Sequence, residues 1–400
     1  MTARTALPPL ALYVHVPWCV RKCPYCDFNS HGVGHGAVLP EAEYVEALIE
    51  DLDQDLALIE PRALRSIFIG GGTPSLLSPD AYVRLLEACE ARLGFEPGIE
   101  ITLEANPGTV ERTRFEGYRQ AGINRLSLGI QSFDDALLAE LGRIHSGDDA
   151  ERAVEAARAA GFYNFNLDLM HGLPGQSVEG ALADIERALS LSPEHLSWYQ
   201  LTLEPNTEFF SHPPRMPEEE TLFDIQDEGH ARLEAAGLER YEISAYARAG
   251  GLDRRARHNL NYWRFGDYLG IGAGAHGKLS RLDSDGELTA TRRWKSRQPE
   301  SYLKRRRDPR GFVAGQRQIE RDEIGLEFLM NALRLVEGVP LELWQARTGL
   351  SNARLAAQTA RARSMMLLAE DPGRIKASPR GLLFLNDLLA LCESARVPLE

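Results

Sequence analysis

The sequence predicts an α/β fold, a partial (β/α)6 barrel with a small, mainly helical C-terminal domain. Short β-rich runs alternate with helical stretches over the first half of the 400-residue chain, which indicates a parallel sheet with helical crossovers. About six such units are too few to close an eight-stranded barrel. From about Gly311 the apolar residues follow a helical period to the end of the chain. We therefore expect two domains, 1–310 and 311–400.

The predicted elements follow the chain in order, each from its apolar run. The predicted strands are Leu12–Val16, Ser66–Ile69, Glu100–Leu103, Arg125–Gly129, Phe165–Leu169 and Leu196–Leu203. The helices between them are Glu41–Ile59, Pro79–Leu93, Val110–Gln120, Asp148–Ala160 and Val178–Leu189. Next come helix Glu218–Ala236, strand Tyr241–Ala245, a loop over Arg254–Gly277 and a basic run over Thr291–Arg310. In such a fold the catalytic and ligand-binding residues lie at the carboxyl ends of the strands.

The overall composition excludes several classes of protein. A formal net charge of −13 is opposite in sign to the basic footprint of a nucleic-acid-binding protein. No stretch reaches the ~18 apolar residues expected of a transmembrane helix. Five cysteines, three of them clustered, argue against a disulfide framework and suit a reducing compartment. We expect a cytoplasmic protein that binds no nucleic acid and has no transmembrane segment.

Three cysteines, Cys19, Cys23 and Cys26, form the most informative motif of the chain. Soft thiolate ligands select zinc or iron–sulfur clusters. A structural zinc site is normally closed by a fourth protein ligand, and His31 is the only candidate at ordinary loop spacing. A four-iron cluster held by three cysteines would instead leave one iron free to bind a substrate or cofactor.

A glycine run and several polar side chains stand at the ends of successive predicted strands. Gly70–Thr73 follows the second strand, and glycines let the backbone approach a ligand closely. Glu104 and Gln131 end the third and fourth strands, and Asp168 lies on the fifth. Each alone is explained by a turn, a helix cap or a satisfied core group. Together these side chains would lie at one end of the predicted sheet. Packing alone does not explain this arrangement, because a buried polar group needs a hydrogen-bonding partner.

These motifs together resemble the radical S-adenosylmethionine (SAM) superfamily. Its signature is Cys19-x3-Cys23-x2-Cys26 with Tyr25 before the last cysteine, and the glycine run resembles its methionine-binding strand end. A narrower resemblance, to oxygen-independent coproporphyrinogen III oxidases, covers the chain from about residue 11 to the C-terminal domain. It rests on the motifs Tyr-Val-His-Val-Pro-Trp-Cys, Gly-Gly-Gly-Thr-Pro, Glu-Ala-Asn-Pro, Leu-Gly-Ile-Gln-Ser-Phe and Asp-Leu-Met.

The resemblance implies the cofactors and the residues that hold them. The three cysteines would ligate a [4Fe–4S] cluster, and SAM would chelate the remaining iron. The glycine run would bind the methionine part of SAM, Tyr13 would touch it near the cluster, and the Tyr25 ring would pack beside it. The complete set implied to bind SAM is Tyr13, Tyr25, Gly71, Gly72, Thr73, Glu104, Gln131, Arg143 and Asp168.

Two departures from the oxidase pattern bear on the function. The oxidases carry a further cysteine two residues after the third, where this chain has Phe28. The run His258-Asn-Leu-Asn-Tyr262-Trp263 resembles the His-Asn-x-x-Tyr-Trp motif of HemW-type haem chaperones, which hand haem to acceptors such as respiratory enzymes. Imidazole is a common axial ligand of haem iron, so His258 is the candidate ligand, with Tyr262 and Trp263 packed on the macrocycle. The alternative is that this loop covers the cofactor mouth and His258 is hydrogen-bonded to backbone.

The sequence therefore predicts a haem chaperone with a [4Fe–4S] cluster, SAM, and haem as cargo. Its partners would be haem-accepting proteins, membrane-associated respiratory enzymes among them. The alternative function is an oxygen-independent oxidase that removes carboxyl groups from porphyrinogen propionates. A third possibility is a domain that only holds a structural zinc ion. Whether the chain is an enzyme is left open, and no residue is assigned a catalytic role. The basic run is predicted to be a solvated helical face, with contacts to haem propionates or an acidic partner as the alternative.

Overall fold

A computed structural model describes residues 7–109 and 112–393 of the chain. Twelve strands form one sheet, and two further pairs of very short strands lie outside it. The strands are β1 (Leu10–Val16), β2 (Trp18–Cys19), β3 (His31–Gly32), β4 (Leu64–Gly71), β5 (Phe95–Ala105), β6 (Arg125–Gln131), β7 (Phe165–His171), β8 (His195–Gln200), β9 (Leu238–Glu242), β10 (Ala245–Arg248), β11 (Asp267–Ile271), β12 (His276–Leu282), β13 (Leu288–Lys295), β14 (Val313–Ile319), β15 (Val339–Pro340) and β16 (Arg374–Ile375).

Helices connect the parallel strands and form the C-terminal part of the chain. They are α1 (Glu41–Leu56), α2 (Pro79–Leu93), α3 (Arg112–Gln120), α4 (Asp135–Glu140), α5 (Gly147–Ala159), α6 (Val178–Ser190), α7 (Glu208–Ser211), α8 (Glu219–Ala235), α9 (Arg257–Trp263), α10 (Pro299–Lys304), α11 (Ile324–Ala332), α12 (Glu342–Thr348), α13 (Asn352–Ser364), α14 (Pro379–Leu383) and α15 (Leu385–Glu393). Within residues 7–109 and 112–393, none of them combines the length and apolar character needed to cross a bilayer.

The sheet is parallel in its centre and antiparallel at both edges. Its order is β14-β13-β12-β11-β1-β4-β5-β6-β7-β8-β10-β9, and the seven strands from β11 to β8 pair in parallel. The two edge strands, β14 and β9, do not pair with each other, so the sheet stays open. The predicted fold class, an α/β partial barrel followed by helices, is confirmed.

Local sequence explains why these elements begin where they do. The central strand β1 is buried along nearly its whole length, as its continuous apolar run requires for a strand covered on both faces. Ser78 caps α2 by accepting a hydrogen bond from the Ala81 amide, with a proline at the first helical position. Ser146 and Asp149 form a capping box on α5.

All six predicted parallel strands are present, and the predicted helices between them lie within a few residues of their expected bounds. The third of those helices is described from Arg112 to Gln120, and its predicted start at Val110 lies outside the described residues. Helix Glu218–Ala236 is observed as Glu219–Ala235. The register aligns the strand ends, because Glu104 lies opposite Ser127, and Gly129 lies opposite Asp168.

Two predictions between the sixth strand and the C-terminal part are wrong. The expected loop Arg254–Gly277 contains helix α9 and a seventh parallel strand, β11, which pairs with β1. Its glycine and asparagine content suggested a loop, but burial beside β1 stabilises a five-residue strand. The expected strand Tyr241–Ala245 is a hairpin, with β9 ending at Glu242 and β10 beginning at Ala245.

The basic run and the segment after it also differ from expectation. Thr291–Arg310 is not one helical face, because its first residues belong to β13 and its helical part is limited to α10 and the 3₁₀ turn Arg305–Arg307 that follows it. The segment from Gly311 opens with strand β14, which pairs with β13 before the helices begin at Ile324. Pairing with a neighbouring strand holds β14 extended although its residues are largely exposed. The domain boundary at residue 310 stays a prediction.

Candidate functional site

The three predicted cluster cysteines line one cavity of about 400 Å³ at the carboxyl ends of the parallel strands. Cys19 is buried, Cys23 and Cys26 are half-buried, and none of them forms a disulfide. The loop is held by a hydrogen bond from the Cys26 amide to the Cys23 carbonyl and by pairing of β2 with β3. Within the described ranges, no three His, Cys, Asp or Glu side chains lie close enough to hold a single metal ion. Three thiols on one cavity wall fit the donor set of a [4Fe–4S] cluster.

The glycine run packs directly against the strand that leads into the cysteine loop. Gly71 has a φ of +114°, and a Cβ there would lie 2.5 Å from the His15 ring. A Cβ on Gly72 would lie 2.5 Å from the Trp18 carbonyl oxygen. Only glycine tolerates this conformation and this approach. The structure therefore explains why the strand end carries consecutive glycines beside the cysteines.

The amide groups of this run are already used inside the chain. The Gly72 amide donates to Val16 and the Thr73 amide donates to Trp18, both at 2.7 Å to the carbonyl oxygen. The Gly71 amide donates to the Glu104 carboxylate at 3.1 Å. These bonds tie β4 to β1 and β5, so the run is a rigid part of the cavity wall.

Two buried carboxyl groups lie on the same wall. Burial raises the pKa of Glu104 to about 8, with a further increase from the nearby charge of Asp168. Burial also raises the pKa of Asp168, although its carboxylate accepts hydrogen bonds from Ser127 Oγ and Asn166 Nδ2, both at 2.8 Å. Glu104 therefore favours the neutral form near pH 7, or a cationic ligand beside it, and burial shifts the pKa of Asp168 in the same direction.

Gln131 and Arg143 complete the predicted polar set around this cavity. Gln131 has a φ of +72°, which is uncommon outside glycine, and its side-chain carbonyl accepts a hydrogen bond from the Tyr199 hydroxyl at 2.7 Å. Arg143 donates to Asn106 Oδ1 at 2.7 Å and to the Gly129 carbonyl, while its other nitrogen lies 3.9 Å from the Cys23 sulfur. A guanidinium so close to a thiolate offsets part of its negative charge.

A second, larger cavity of about 980 Å³ adjoins the first. Phe28, Gly71 and Glu104 line both of them. Tyr25 lines the first cavity, whereas Tyr13 lines the second and donates or accepts a hydrogen bond with His15 Nδ1 at 2.9 Å. The structure thus separates the two predicted tyrosines.

His258 is buried in the wall of this second cavity. It is 2% exposed, and neither of its ring nitrogens has a hydrogen-bond partner in the part of the chain that the structure describes. Its ring stacks on Phe68 at 4.9 Å between centroids and meets the Tyr262 ring edge-on at 4.4 Å. Burial lowers the pKa of His258 to about 3, so the imidazole is neutral near pH 7. The alternative in which this histidine is hydrogen-bonded to backbone is not observed.

The structure does not bring Trp263 to this cavity, which corrects the prediction that it packs beside Tyr262 on a ligand. Helix α9 turns the Trp263 ring the other way, under the Arg334 guanidinium at 4.5 Å and against the C-terminal core. Tyr262 remains in the wall of the second cavity. The spacing of consecutive residues on a helix, about 100° apart, accounts for the difference.

The basic run is mostly engaged by acids of the same chain. Lys295 is buried between Asp51 and Asp55, and Arg306 contacts Glu50. Arg297 differs, because it is exposed and lines the second cavity. Most of the run is therefore structural, and one arginine is placed to meet a ligand.

Several residues of both walls were not predicted from the sequence. Tyr199 at the end of β8 and Asn106 line the first cavity, although Asn106 stands in a motif that had been noted. The second cavity adds His276, Tyr268 and Trp294 from the segment expected to be loop and basic face. The sequence spacing did not indicate these last three residues, since their strands β11, β12 and β13 had not been predicted.

Comparison with known proteins agrees with this geometry. The profile of the radical SAM superfamily matches residues 13–188, and that of the HemN C-terminal domain matches residues 319–384. The chain is 49% identical over 385 residues to "Heme chaperone HemW" of Escherichia coli, covering 96% of this chain and 98% of that protein. It is also 49% identical over 389 residues to the protein of the same name from Haemophilus influenzae, covering 96% and 98%.

A solved structure shares the whole fold. Coproporphyrinogen III oxidase (HemN) from Escherichia coli superposes with a TM-score of 0.80 at 21% identity, covering 98% of this chain and 92% of that chain. At that identity the likeness concerns the fold alone. From the near-complete matches at 49% identity, the chain belongs to the HemW family within the radical SAM superfamily.

Proposed function

We propose that this chain binds haem in the second cavity and hands it to acceptor proteins, respiratory enzymes among them. The observation that carries the proposal is His258, a neutral and buried imidazole without a hydrogen-bond partner in the described residues, in the wall of a large aromatic cavity. A free imidazole nitrogen is the usual protein ligand of haem iron. Relatives that share about half of their residues with this chain are named heme chaperones.

The remaining walls of the second cavity suit a flat, largely apolar ligand with acidic substituents. Phe68, Tyr262, Tyr268 and Trp294 supply aromatic faces, and Arg297 supplies a cation at an exposed position. Aromatic surfaces stabilise a flat apolar ligand by burial and stacking, and a guanidinium pairs with a carboxylate through two hydrogen bonds. Haem presents such a flat face and two propionates.

We further propose that the first cavity holds a [4Fe–4S] cluster on Cys19, Cys23 and Cys26, with SAM on the iron that no cysteine ligates. When bound, this pair supplies one-electron reduction of the SAM sulfonium. The chain contributes the buried or half-buried positions of the three thiols and the Arg143 guanidinium near Cys23. Burial raises the pKa of Cys19 and Cys26, so bound iron rather than the protein would hold these sulfurs as thiolates.

The polar set around the first cavity is proposed to bind SAM. Because the amides of Gly71, Gly72 and Thr73 are already bonded, the carbonyl oxygens of this run would accept from a ligand amino group, and that of Thr73 also accepts from the Leu76 amide at 3.0 Å. Glu104 and Asp168 would accept from cationic or hydroxyl groups, Gln131 from a hydroxyl group, and Arg143 would pair with the SAM carboxylate. Tyr25 would pack beside it. Tyr13 lines the second cavity, and its pKa is raised by burial and by the nearby charge of Glu104. Its side chain would therefore lie between the two ligands.

The test of haem binding compares three histidine variants of the anaerobically reconstituted protein. Haem is titrated by its absorption spectrum into wild type, His258→Ala, His276→Ala and His212→Ala. His276 lines the same cavity, and His212 is exposed on a short helix end away from both cavities. We expect one haem per chain and a loss of affinity of about tenfold or more in His258→Ala alone, which corresponds to at least ~1.4 kcal/mol. Unchanged haem binding in His258→Ala would refute the assignment of His258.

The competing function, oxidative decarboxylation of coproporphyrinogen III, is tested on the same sample. Reduced protein, SAM and coproporphyrinogen III are incubated without oxygen, and protoporphyrinogen IX is measured. The chaperone proposal predicts no sustained turnover, in keeping with Phe28 in place of the oxidases' further cysteine. Repeated turnover would overturn it. Iron and sulfide analysis, expected at about four of each per chain, excludes a zinc domain.

A further inference from the structure

A third cavity, of about 650 Å³, lies on the other side of helix α9 from the second cavity. His258 and Tyr262 of this helix line the second cavity, whereas Leu260 and Asn261 line the third. The rest of the wall comes from the start of the main sheet, from helix α12, from the short strands β15 and β16, and from two connecting segments. The two cavities thus share one two-turn helix but no lining residue.

The third cavity is basic in a chain whose formal net charge is −13. Three carboxylates line it: Glu96, Asp253 and Glu337. Five arginines line it: Arg65, Arg257, Arg264, Arg347 and Arg374. Its wall also includes apolar side chains from both parts of the chain. The local charge is therefore opposite in sign to that of the whole protein.

Two of the three carboxylates are already paired with arginines. Glu337 contacts Arg264 at 3.3 Å and Arg255 at 3.4 Å, and Arg255 also holds Asp253 at 2.9 Å. These ion pairs lie at the rim and are partly exposed, so they are weak but they do use the available negative charge. Of the three carboxylates, they leave Glu96, which is exposed, for the remaining arginines of the wall.

Arg65 and Arg347 are the uncompensated arginines of this wall. Neither has a hydrogen-bond or ion-pair partner within residues 7–109 and 112–393, and the Nε of Arg347 is buried. The charge of Asp267 acts on Arg347, but Asp267 is fully buried and already binds Lys278 and Arg62, each at 3.0 Å. Burial lowers the pKa of Arg347, and the charges of Arg62 and Arg65 lower it further. Like charges gathered in a partly buried cavity are unfavourable unless an anion joins them.

We propose that the third cavity binds a phosphate-bearing small molecule, with Arg65 and Arg347 as its principal contacts. Several guanidinium groups converge there, and a phosphate offers more oxygens and more charge to them than one carboxylate does. The cavity has the size of an ordinary small-molecule site, and apolar residues such as Pro9 and Leu343 could cover the rest of the ligand. This proposal does not depend on haem carriage by the second cavity.

The test uses pyrophosphate as the probe and calorimetry as the readout. The reconstituted protein is first saturated with SAM, so that Arg143 and the first cavity are occupied, and is titrated at constant ionic strength. We expect one saturable site per chain, weakened about tenfold or more by Arg347→Gln and by Arg65→Gln. Arg361→Gln removes the same charge from an exposed position on α13 and should leave the affinity unchanged.

Three outcomes of the pyrophosphate titration would overturn the proposal. They are the absence of saturable pyrophosphate binding, binding that Arg347→Gln and Arg65→Gln leave unchanged, and equal weakening by Arg361→Gln, which would show a general charge effect. Citrate titrated in parallel separates phosphate from polycarboxylate, and tighter citrate binding would refute a phosphate ligand. Iron content and circular dichroism check the fold of each variant. Because Arg65 is exposed, Arg65→Gln keeps the test valid if Arg347→Gln does not fold.

Discussion

Replacing Glu104 with glutamine should stabilise the SAM-free protein, and the gain should increase with pH. The Glu104 carboxyl is buried at the end of β5 and has its pKa raised to about 8. In the unfolded chain a glutamate titrates near ~4.3. The folded protein therefore holds a proton that the unfolded chain releases, so wild-type stability falls as pH rises from ~4.3 to about 8 and is then constant.

The size of the effect follows from the same shift. At ~1.4 kcal/mol per pKa unit, the wild-type carboxyl lowers the free energy of unfolding by roughly 4 kcal/mol at pH 7 and roughly 5 kcal/mol at pH 9. Glutamine does not ionise, and its carbonyl oxygen can still accept the hydrogen bond from the Gly71 amide. The variant should therefore equal wild type near pH 4 and exceed it by these amounts at higher pH.

Urea unfolding at pH 5, 7 and 9, under anaerobic conditions, measures this difference. Glu87→Gln, which changes an exposed glutamate of α2, serves as the matched control and should show no such increase with pH. The other titrating groups are common to wild type and variant, so they cancel in the difference between their free energies of unfolding. If the stability gained by Glu104→Gln is the same at pH 5 and pH 9, the reasoning from burial is wrong.

Three further predictions concern the cavities and the basic run. Lys295→Met should lower the free energy of unfolding by about 3–5 kcal/mol in urea titrations, because Asp51 then loses its buried cation; a loss below ~1 kcal/mol would contradict this. Gly71→Ala should weaken SAM binding about tenfold or more in equilibrium dialysis, since its Cβ would clash at a φ of +114°. Gly34→Ala, with a φ of +81° and open space around it, should leave SAM affinity unchanged. If both alanine variants weakened SAM binding equally, the clash at Gly71 would not be the cause. Trp263→Phe should keep haem affinity within about twofold, because the ring lies outside the second cavity; a larger loss would place Trp263 at the ligand.

Six of the seven parallel strands were predictable because each is a short apolar run, and helix start signals mark several of the segments between them. Such signals act between residues that are close in sequence, as Ser78 acts on α2. Strand β11 escaped prediction because its stability comes from pairing with β1, more than 250 positions earlier in the chain. Strand β14 escaped for the same reason, since its exposed polar residues are held extended by β13.

The first cavity could be anticipated further than the second. Its polar residues stand at the ends of consecutive parallel strands, and parallel pairing brings such ends to one edge of the sheet. Glu104, Gln131 and Asp168 meet there for that reason. The second cavity joins β1 and β4 to α9, β12 and β13, which are remote in sequence. Of this cavity, only the motif around His258 was recognised in the sequence, because it resembles the His-Asn-x-x-Tyr-Trp motif of haem chaperones.

The amino-acid sequence by itself determined which chemistry the chain can hold. The motifs that carry this chemistry are three cysteines on one loop, glycines at a strand end and a histidine motif. Each depends only on residue type and on short spacings along the chain. Tertiary structure alone decided which way α9 faces, through contacts such as the bond from the Arg257 amide to Glu100 Oε1 at 2.8 Å. That orientation places His258 and Tyr262 in one cavity, turns Trp263 into the core, and leaves the arginines around a third cavity. Packing between distant segments sets a helix's orientation, and no local spacing encodes it.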